Sequence, residues 1–498
     1  MNNIKQYCGR FVINIWKSIN FRSARTRACA AAFLALTSGC ALTGGALKSA
    51  APAAAELWLT KADGSVLFQK QPGSLQFKEP DSALKPAITI DPGVSYQEID
   101  GFGCTLTGGS ARLIQSLPQQ EKEALLQELF AADGAAIGLS YLRISVGASD
   151  LDEQVFSYDD LPAGAGQKDT ELAKFSLAPD KEALIPVLKR ILEINPGLKL
   201  LASPWSPPAW MKTNRSPKGG SLSTEYYGVY ARYLVKYIEA MRAEGITIDA
   251  LTIQNEPLNP DNNPSMFMPA ETQGLFIKKY LGPEFKKAGV KTKIVLYDHN
   301  CDRPDYPLSI LADKEAARYV DGSAFHIYGG EITALSEVHN AYPDKNVYFT
   351  EQWVGGPSNF AVDFKWHVAN LIIGATRNWS RNVLEWNLAS DPGYGPHTEG
   401  GCVRCQGALT IGQGIRRDVA YYVLAHASKF VRPGSRRIAS NLLPSLPNAA
   451  FRTPSGDVVL IVLNENPAAA EFNISYRGRS AAAVLPGDSA GTYLIKNQ

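Results

Sequence analysis

The sequence predicts an α/β fold: a (β/α)8 TIM barrel with a side β-sandwich domain built from the N- and C-terminal segments. Three observations predict it. Eight strand-like segments alternate with helix-like stretches over about 330 residues. Each of the eight ends in polar or aromatic residues, as expected where strand ends build a site. The tail from residue 429 onward alternates strand and turn without a helical stretch.

In chain order, the first 55 residues differ from the rest. Basic residues are scattered up to Arg27 and no acidic residue precedes Glu56. The apolar run at residues 28–36 is too short to span a bilayer and reads as the core of a secretory signal. Thr37-Ser38-Gly39-Cys40 resembles a bacterial lipoprotein processing site. Export is therefore expected, to the periplasm, the cell surface or the outer membrane, with membrane attachment through a lipidated Cys40. Ordinary cleavage near residues 53–55 is the alternative. Residues 1–40 form the leader, and the Ala/Gly/Ser-rich residues 41–55 read as a tether.

Two strand-like stretches, residues 56–70 and 87–101, have turn residues between them, and residues 56–95 are expected to join the sandwich. The barrel is expected over 96–428. Its strand candidates are residues 101–108, 139–147, 198–208, 248–257, 293–300, 322–330, 346–356 and 382–390. Helix-like spacing appears at 110–117, at 181–195 and at 223–245, the last ending in Gly245. Residues 429–498 supply the rest of the sandwich.

Composition narrows the function. The 498 residues are 45% hydrophobic and 20% charged, ordinary for a globular chain long enough for one large and one smaller domain. A net charge of +2 with evenly spread lysines gives no nucleic-acid footprint, so no such partner is expected. Of seven cysteines, Cys8, Cys29 and Cys40 lie in the leader, and Cys104 and Cys301 stand apart. Cys402 and Cys405 form a lone C-V-R-C, too few ligands for zinc, and read as a local disulfide stiffening a loop.

The chemistry centres on two strand-end carboxylates. Glu256, in "TIQNEP", follows the fourth strand candidate, and Glu351, in "YFTEQW", ends the seventh. On a closed barrel these positions face each other across the mouth. Acetal hydrolysis needs one group to protonate the leaving oxygen and another to meet the developing oxocarbenium ion. Burial and the charge of Glu351 are expected to raise the Glu256 pKa. Asn255 is placed to hydrogen-bond a sugar 2-hydroxyl. Trp205 and Trp386, at strand ends, offer flat rings to the apolar face of a sugar; a cis Ser203–Pro204 bond would expose the Trp205 ring. His326 and Tyr328 alternate along one strand and point to one face. Arg143 is placed to bond Glu351 and keep it ionised, or else to pair with Asp150.

These residues together resemble glycoside hydrolase family 30, the glucosylceramidase-like family. The matching stretches, in order, are "DGFGCTLTGGSA", "YLRISVGASDL", "LLASPWSPPAWMKTN", "TIQNEP", "FHIYGG", "YFTEQW", "EWNLA" and "ASKFVRPGS". The resemblance implies Glu256 as acid/base and Glu351 as nucleophile of a retaining β-glycosidase. It places Trp205, Asn255, His326, Tyr328 and Trp386 around the cleaved sugar and implies no metal or organic cofactor. Gly108 stands where the animal glucosylceramidases carry Asp, so the sugar is expected to be gripped differently. "TGGSA" and residues 391–411 look more like the endo-β-1,6-glucanase branch, with His397 and Cys402–Cys405 in a loop that shapes the cleft. The expected substrate is a β-glucan or other β-glucoside. A β-glucosidase, a glucosylceramidase and a β-xylosidase are alternatives within the family, and a non-catalytic sugar-binding lipoprotein is the alternative outside it.

Overall fold

The computed structural model describes residues 54–80, 86–162 and 166–497. The leader, Cys40 and tether residues 41–53 lie outside the described residues. Residues 54 and 55, expected in the tether, already belong to a strand, Ala54–Lys61, and Ala55 is fully buried. Among the described residues no helix is long and apolar enough to cross a membrane.

Eight parallel strands close a barrel. They are β1 (Gly101–Thr105), β2 (Tyr141–Ser145), β3 (Lys199–Ser203), β4 (Ala250–Thr252), β5 (Lys293–Cys301), β6 (Val320–Gly330), β7 (Asn346–Glu351) and β8 (Ser380–Asn387). All eight predicted strands are present, but several are shorter than their apolar runs. β4 keeps only three residues, so Glu256 sits beyond it in a tight loop rather than at its last rung.

One inward side chain from each of β2 to β8 meets in the lower barrel: Tyr141, Leu201, Ala250, Val295, Ala324, Tyr348 and Leu384. Large and small residues share the layer, as a tapering interior requires. At β1 the equivalent space is closed by backbone: a Cβ on Gly103 would lie 1.8 Å from the Tyr141 carbonyl oxygen. Closure is fastened from below by Asp100. Its carboxylate accepts two bonds from Arg381 at 2.9 Å and one from Lys199 at 2.6 Å, tying β8 and β3 to the start of β1.

The predicted helices form; the first starts two residues earlier than expected and the other two are trimmed at both ends. Gly108–Ser116 is capped by the Thr107 hydroxyl, which accepts from Ser110 N–H. Leu184–Ile194 and Tyr227–Ala243 bury one apolar face each. The second stops where Gly245 takes a φ of +82°, a left-handed turn cheap only for glycine.

The sandwich uses both chain ends. Ala54–Lys61 pairs antiparallel with Ser489–Ile495, the last strand. Ala87–Glu98 pairs with Arg436–Ser440 on one side and with Ala470–Tyr476 on the other. That strand runs three residues past the boundary expected at 95, because its register shifts let it continue along Arg436–Ser440 to the barrel's base.

Candidate active site

At the C-terminal rim a cavity of about 440 Å³ is lined by residues that include Glu256, Glu351, Asn255, Trp205, Trp386 and Tyr328. One carboxylate oxygen each from Glu256 and Glu351, and a ring nitrogen of His326, lie within 4.8 Å of one another. Glu256, Glu351, Asn255, Trp205, Trp386 and Tyr328 meet at this pit, with Arg143 and His326 beneath it.

Beneath the pit a buried layer fixes the carboxylates. Arg143, fully buried, donates from Nη1 to Glu351 Oε2 at 2.5 Å, and from Nη2 to Asp298 Oδ2 at 2.8 Å and to Asn255 Oδ1 at 2.6 Å. Its partners are thus Glu351 and Asp298; the alternative pairing with Asp150 is not made. Asp298 is the hub. It also accepts from Ser203 at 2.5 Å, Thr252 at 2.8 Å and Thr350 at 2.6 Å, with His326 Nε2 at 3.1 Å. Four barrel strands besides its own therefore converge with Arg143 on one carboxylate. Such a buried charge is tolerable only because it is fully bonded. Its pKa lies well below the usual carboxylate range: burial pushes up, but Arg143, His326 and Ser203 outweigh it.

Glu256 is held in a conformation that side chains rarely adopt. Its φ is +45° although Pro257 follows, and residues before proline prefer extended backbone. The outlier costs on the order of 1–3 kcal/mol, of the kind found at functional sites. Its N–H donates to the Asp298 carbonyl at 3.0 Å, and its carbonyl accepts from Asn259 N–H at 2.8 Å. Its carboxylate meets Asn259 Nδ2 at 2.8 Å and His326 Nδ1 at 3.3 Å. Tyr297 and Asp298, at φ +71° and +65°, supply a matching bend in β5.

The expectation of a raised Glu256 pKa is corrected. Burial does push it up, but His326, by hydrogen bond and charge, with His299 and Asn259, holds it at about 2. His326 is the reciprocal case: burial pulls it down, while Glu351, Asp298 and Glu256 lift it to about 9. The two shifts run in opposite directions and favour the proton on the His326 side of the 3.3 Å contact. Glu351 is raised by burial, with His326 and Arg143 opposing, so Arg143 limits the rise rather than abolishing it. Tyr328 donates to Glu351 Oε1 at 2.9 Å, which leaves both oxygens of that carboxylate oriented.

Two expectations about shape also change. Ser203–Pro204 is not among the cis peptide bonds, which among the described residues precede Pro264, Pro357 and Pro396. Trp205 does not present an open ring: it is 1% exposed, stacked on Trp386 at 5.4 Å, with the Arg143 guanidinium 4.7 Å from its ring centre. The pair forms the floor and side of the pit. His397 is partly buried in the loop after β8, bonded locally to the Thr398 carbonyl at 3.0 Å.

Position 108 has no room for a side chain. A Cβ there would lie 1.6 Å from Asp152 Oδ1, so the Asp152 carboxyl already fills that space. The carboxyl that lines the pit from this quarter is Asp150, buried and raised to about 7 by burial and by the charge of Glu351. Sequence reasoning missed Asp150 and Asp298 as site residues. The signals were "YDHN", a carboxylate closing an apolar strand, and a second carboxylate seven residues beyond Arg143.

A profile of the glycosyl hydrolase family 30 TIM-barrel domain matches residues 99–431, and one of the family 30 beta sandwich domain matches 434–493. The chain belongs to glycoside hydrolase family 30. As a family 30 glycosidase it is 36% identical to an endo-1,6-beta-D-glucanase of Neurospora crassa over 374 residues, 71% of this chain and 75% of that one. It is 28% identical to the lysosomal acid glucosylceramidase of Mus musculus over 456 residues, 86% of each chain. The solved endo-beta1,6-glucanase BT3312 superposes with a TM-score of 0.82 at 34% identity, covering 90% of this chain and all of that one.

Proposed function

We propose that this family 30 enzyme is an exported β-1,6-glucanase that retains anomeric configuration, with Glu351 as nucleophile and Glu256 as acid/base. The observation that carries the reading is the approach of the two carboxylates to within 4.8 Å. Such close oxygens fit the retaining arrangement, in which the carboxyl groups are about 5–5.5 Å apart, rather than inverting pairs, which stand about 6.5–9.5 Å apart to admit a water. Glu351, held by Arg143 and Tyr328, attacks the anomeric carbon. The leaving oxygen takes the proton of the Glu256–His326 pair through Glu256. Water, deprotonated by Glu256, then releases the sugar.

Around the sugar, the Asn255 oxygen is occupied by Arg143, so its amide N–H is what it offers a 2-hydroxyl. The Asp150 carboxyl grips an outer hydroxyl. The β-1,6 linkage rests on the similarity to endo-1,6-beta-D-glucanases. Incubation with β-1,6-, β-1,3- and β-1,4-glucans, xylan and glucosylceramide, with products sized by chromatography, tests it: oligosaccharides are expected from the β-1,6-glucan. Preferential cleavage of any other substrate refutes the linkage.

The Glu256–His326 pair shares one proton, and this sets the pH dependence. Activity is expected to rise as Glu351 deprotonates, above the ordinary carboxylate value because its pKa is raised. It is expected to fall through about pH 9, where the pair loses its proton. Substituting His326→Gln removes the basic holder, so the alkaline limb of kcat/KM moves to lower pH; an unmoved limb contradicts the shared proton.

Export and anchoring rest on the leader sequence, the apolar run before Thr37-Ser38-Gly39-Cys40. One acyl chain binds a membrane only weakly, so firm attachment needs the several chains of a processed lipoprotein. Cys40→Ser is expected to move the protein from the membrane to the soluble fraction after cell fractionation. Unchanged membrane partition of that variant counts against the anchor.

A further inference from the structure

One covalent bond joins two walls of the pit. Cys402 and Cys405 both line it and are disulfide-bonded. On one side Cys402 N–H donates to Asp150 Oδ2 at 3.2 Å, and Thr398 N–H donates to the Asp150 carbonyl at 2.9 Å. Gly401 runs so close that a Cβ would lie 2.4 Å from that carbonyl oxygen. On the other side Cys405 pairs with Gly355, and Gln406 with Val354, in a short antiparallel ladder. Gly356 N–H extends it to the Arg404 carbonyl at 2.7 Å. That ladder begins three residues after Glu351. The disulfide also packs in one apolar cluster with Trp205, Trp386 and Trp353.

The bond contributes little elsewhere. It closes a loop with a sequence separation of only three, and constraint on the unfolded chain grows with loop length. Between the cysteines Val403 is 58% exposed and packs nothing inward. The turn that carries the Cys402 N–H is otherwise held at its start, by the bonds of Thr398 to Asn263 and to the Asp150 carbonyl.

We propose that the Cys402–Cys405 disulfide positions Asp150 against the Glu351 side of the pit, so that affinity for the glucosyl unit depends on its oxidation state. A dithiol reductant supplies two electrons and two protons; the S–S bond breaks, two thiols form, and the reagent closes into its own disulfide. The Cys402 N–H can then leave Asp150 Oδ2, while Thr398 still holds the Asp150 carbonyl. The proposal rests on Asp150 gripping the sugar.

The test compares the oxidised enzyme, the same enzyme reduced with dithiothreitol, and a Cys402→Ala/Cys405→Ala variant, all on a β-1,6-linked gluco-oligosaccharide. Mass spectrometry after alkylation verifies the free thiols. Reduction and the double substitution are each expected to raise KM roughly tenfold, the scale of one misplaced hydrogen bond, with kcat changed much less. Reoxidation restores KM in the wild type, and dithiothreitol leaves the double variant unchanged. In an Asp150→Asn background KM is already raised, and removing the disulfide raises it no further. Unchanged KM with both thiols free overturns the proposal; so does additivity of the two effects, or a loss of kcat that tracks loss of folded enzyme. Oxidised wild type that cleaves no β-glucoside is a separate result, against the functional reading itself.

Discussion

Glu351→Gln is expected to lower kcat by about 10⁴- to 10⁶-fold, the scale seen when a nucleophile is removed, while oligosaccharide binding stays within a few-fold. The amide is nearly isosteric and can still meet Tyr328, but it cannot form the glycosyl ester. Azide separates the two carboxylate roles. In Glu351→Gly it enters the emptied space and attacks the sugar directly, giving a glycosyl azide of α configuration. In Glu256→Gly it intercepts the glycosyl-enzyme and gives the β product. Products of the opposite configurations would exchange the two assignments. Isothermal titration of the Glu351→Gln variant with substrate oligosaccharide checks that binding survives.

The second large effect is expected at Arg143. Arg143→Leu leaves Asp298 and Glu351 buried beside each other without the guanidinium that both use. Breaking a buried pair by removing one partner costs about 3–5 kcal/mol. Urea denaturation is expected to show that loss as a lower midpoint at unchanged slope. Activity falls as well: without the cation, the Glu351 pKa, already raised by burial, rises further, and residual kcat/KM shifts to higher pH. Arg143→Lys keeps the charge but cannot reach Glu351, Asp298 and Asn255 together, so it is expected to fold and remain impaired. Wild-type stability in Arg143→Leu contradicts the account of the buried layer.

The barrel was legible because each strand is a short apolar run closed by polar residues, and the site because those polar residues share one rim. Glu256 and Glu351 stand out for the same reason: a carboxylate next to a buried strand needs a purpose. Asp298 was harder. Its left-handed backbone, and that of Tyr297, breaks the two-residue alternation that tells which side chains point inward. Asp150 was harder still. It lies in a loop after β2, and what fixes it comes from Thr398 and Cys402, about 250 residues away. The lowering of the Glu256 pKa was not legible because burial and Glu351 are visible in the sequence, whereas the 3.3 Å approach of His326 Nδ1 is not. Trp205 was expected to be open because its exposure depends on stacking against Trp386, which belongs to the far side of the barrel.

The central claim is that Glu256 and Glu351 work as a double-displacement pair across one anomeric carbon. Proton NMR of the sugar first released from a β-1,6-linked gluco-oligosaccharide, recorded before mutarotation, tests it most directly. The β-anomer is predicted to appear first and the α-anomer to grow in only as the solution equilibrates. Initial release of the α-anomer would contradict the account.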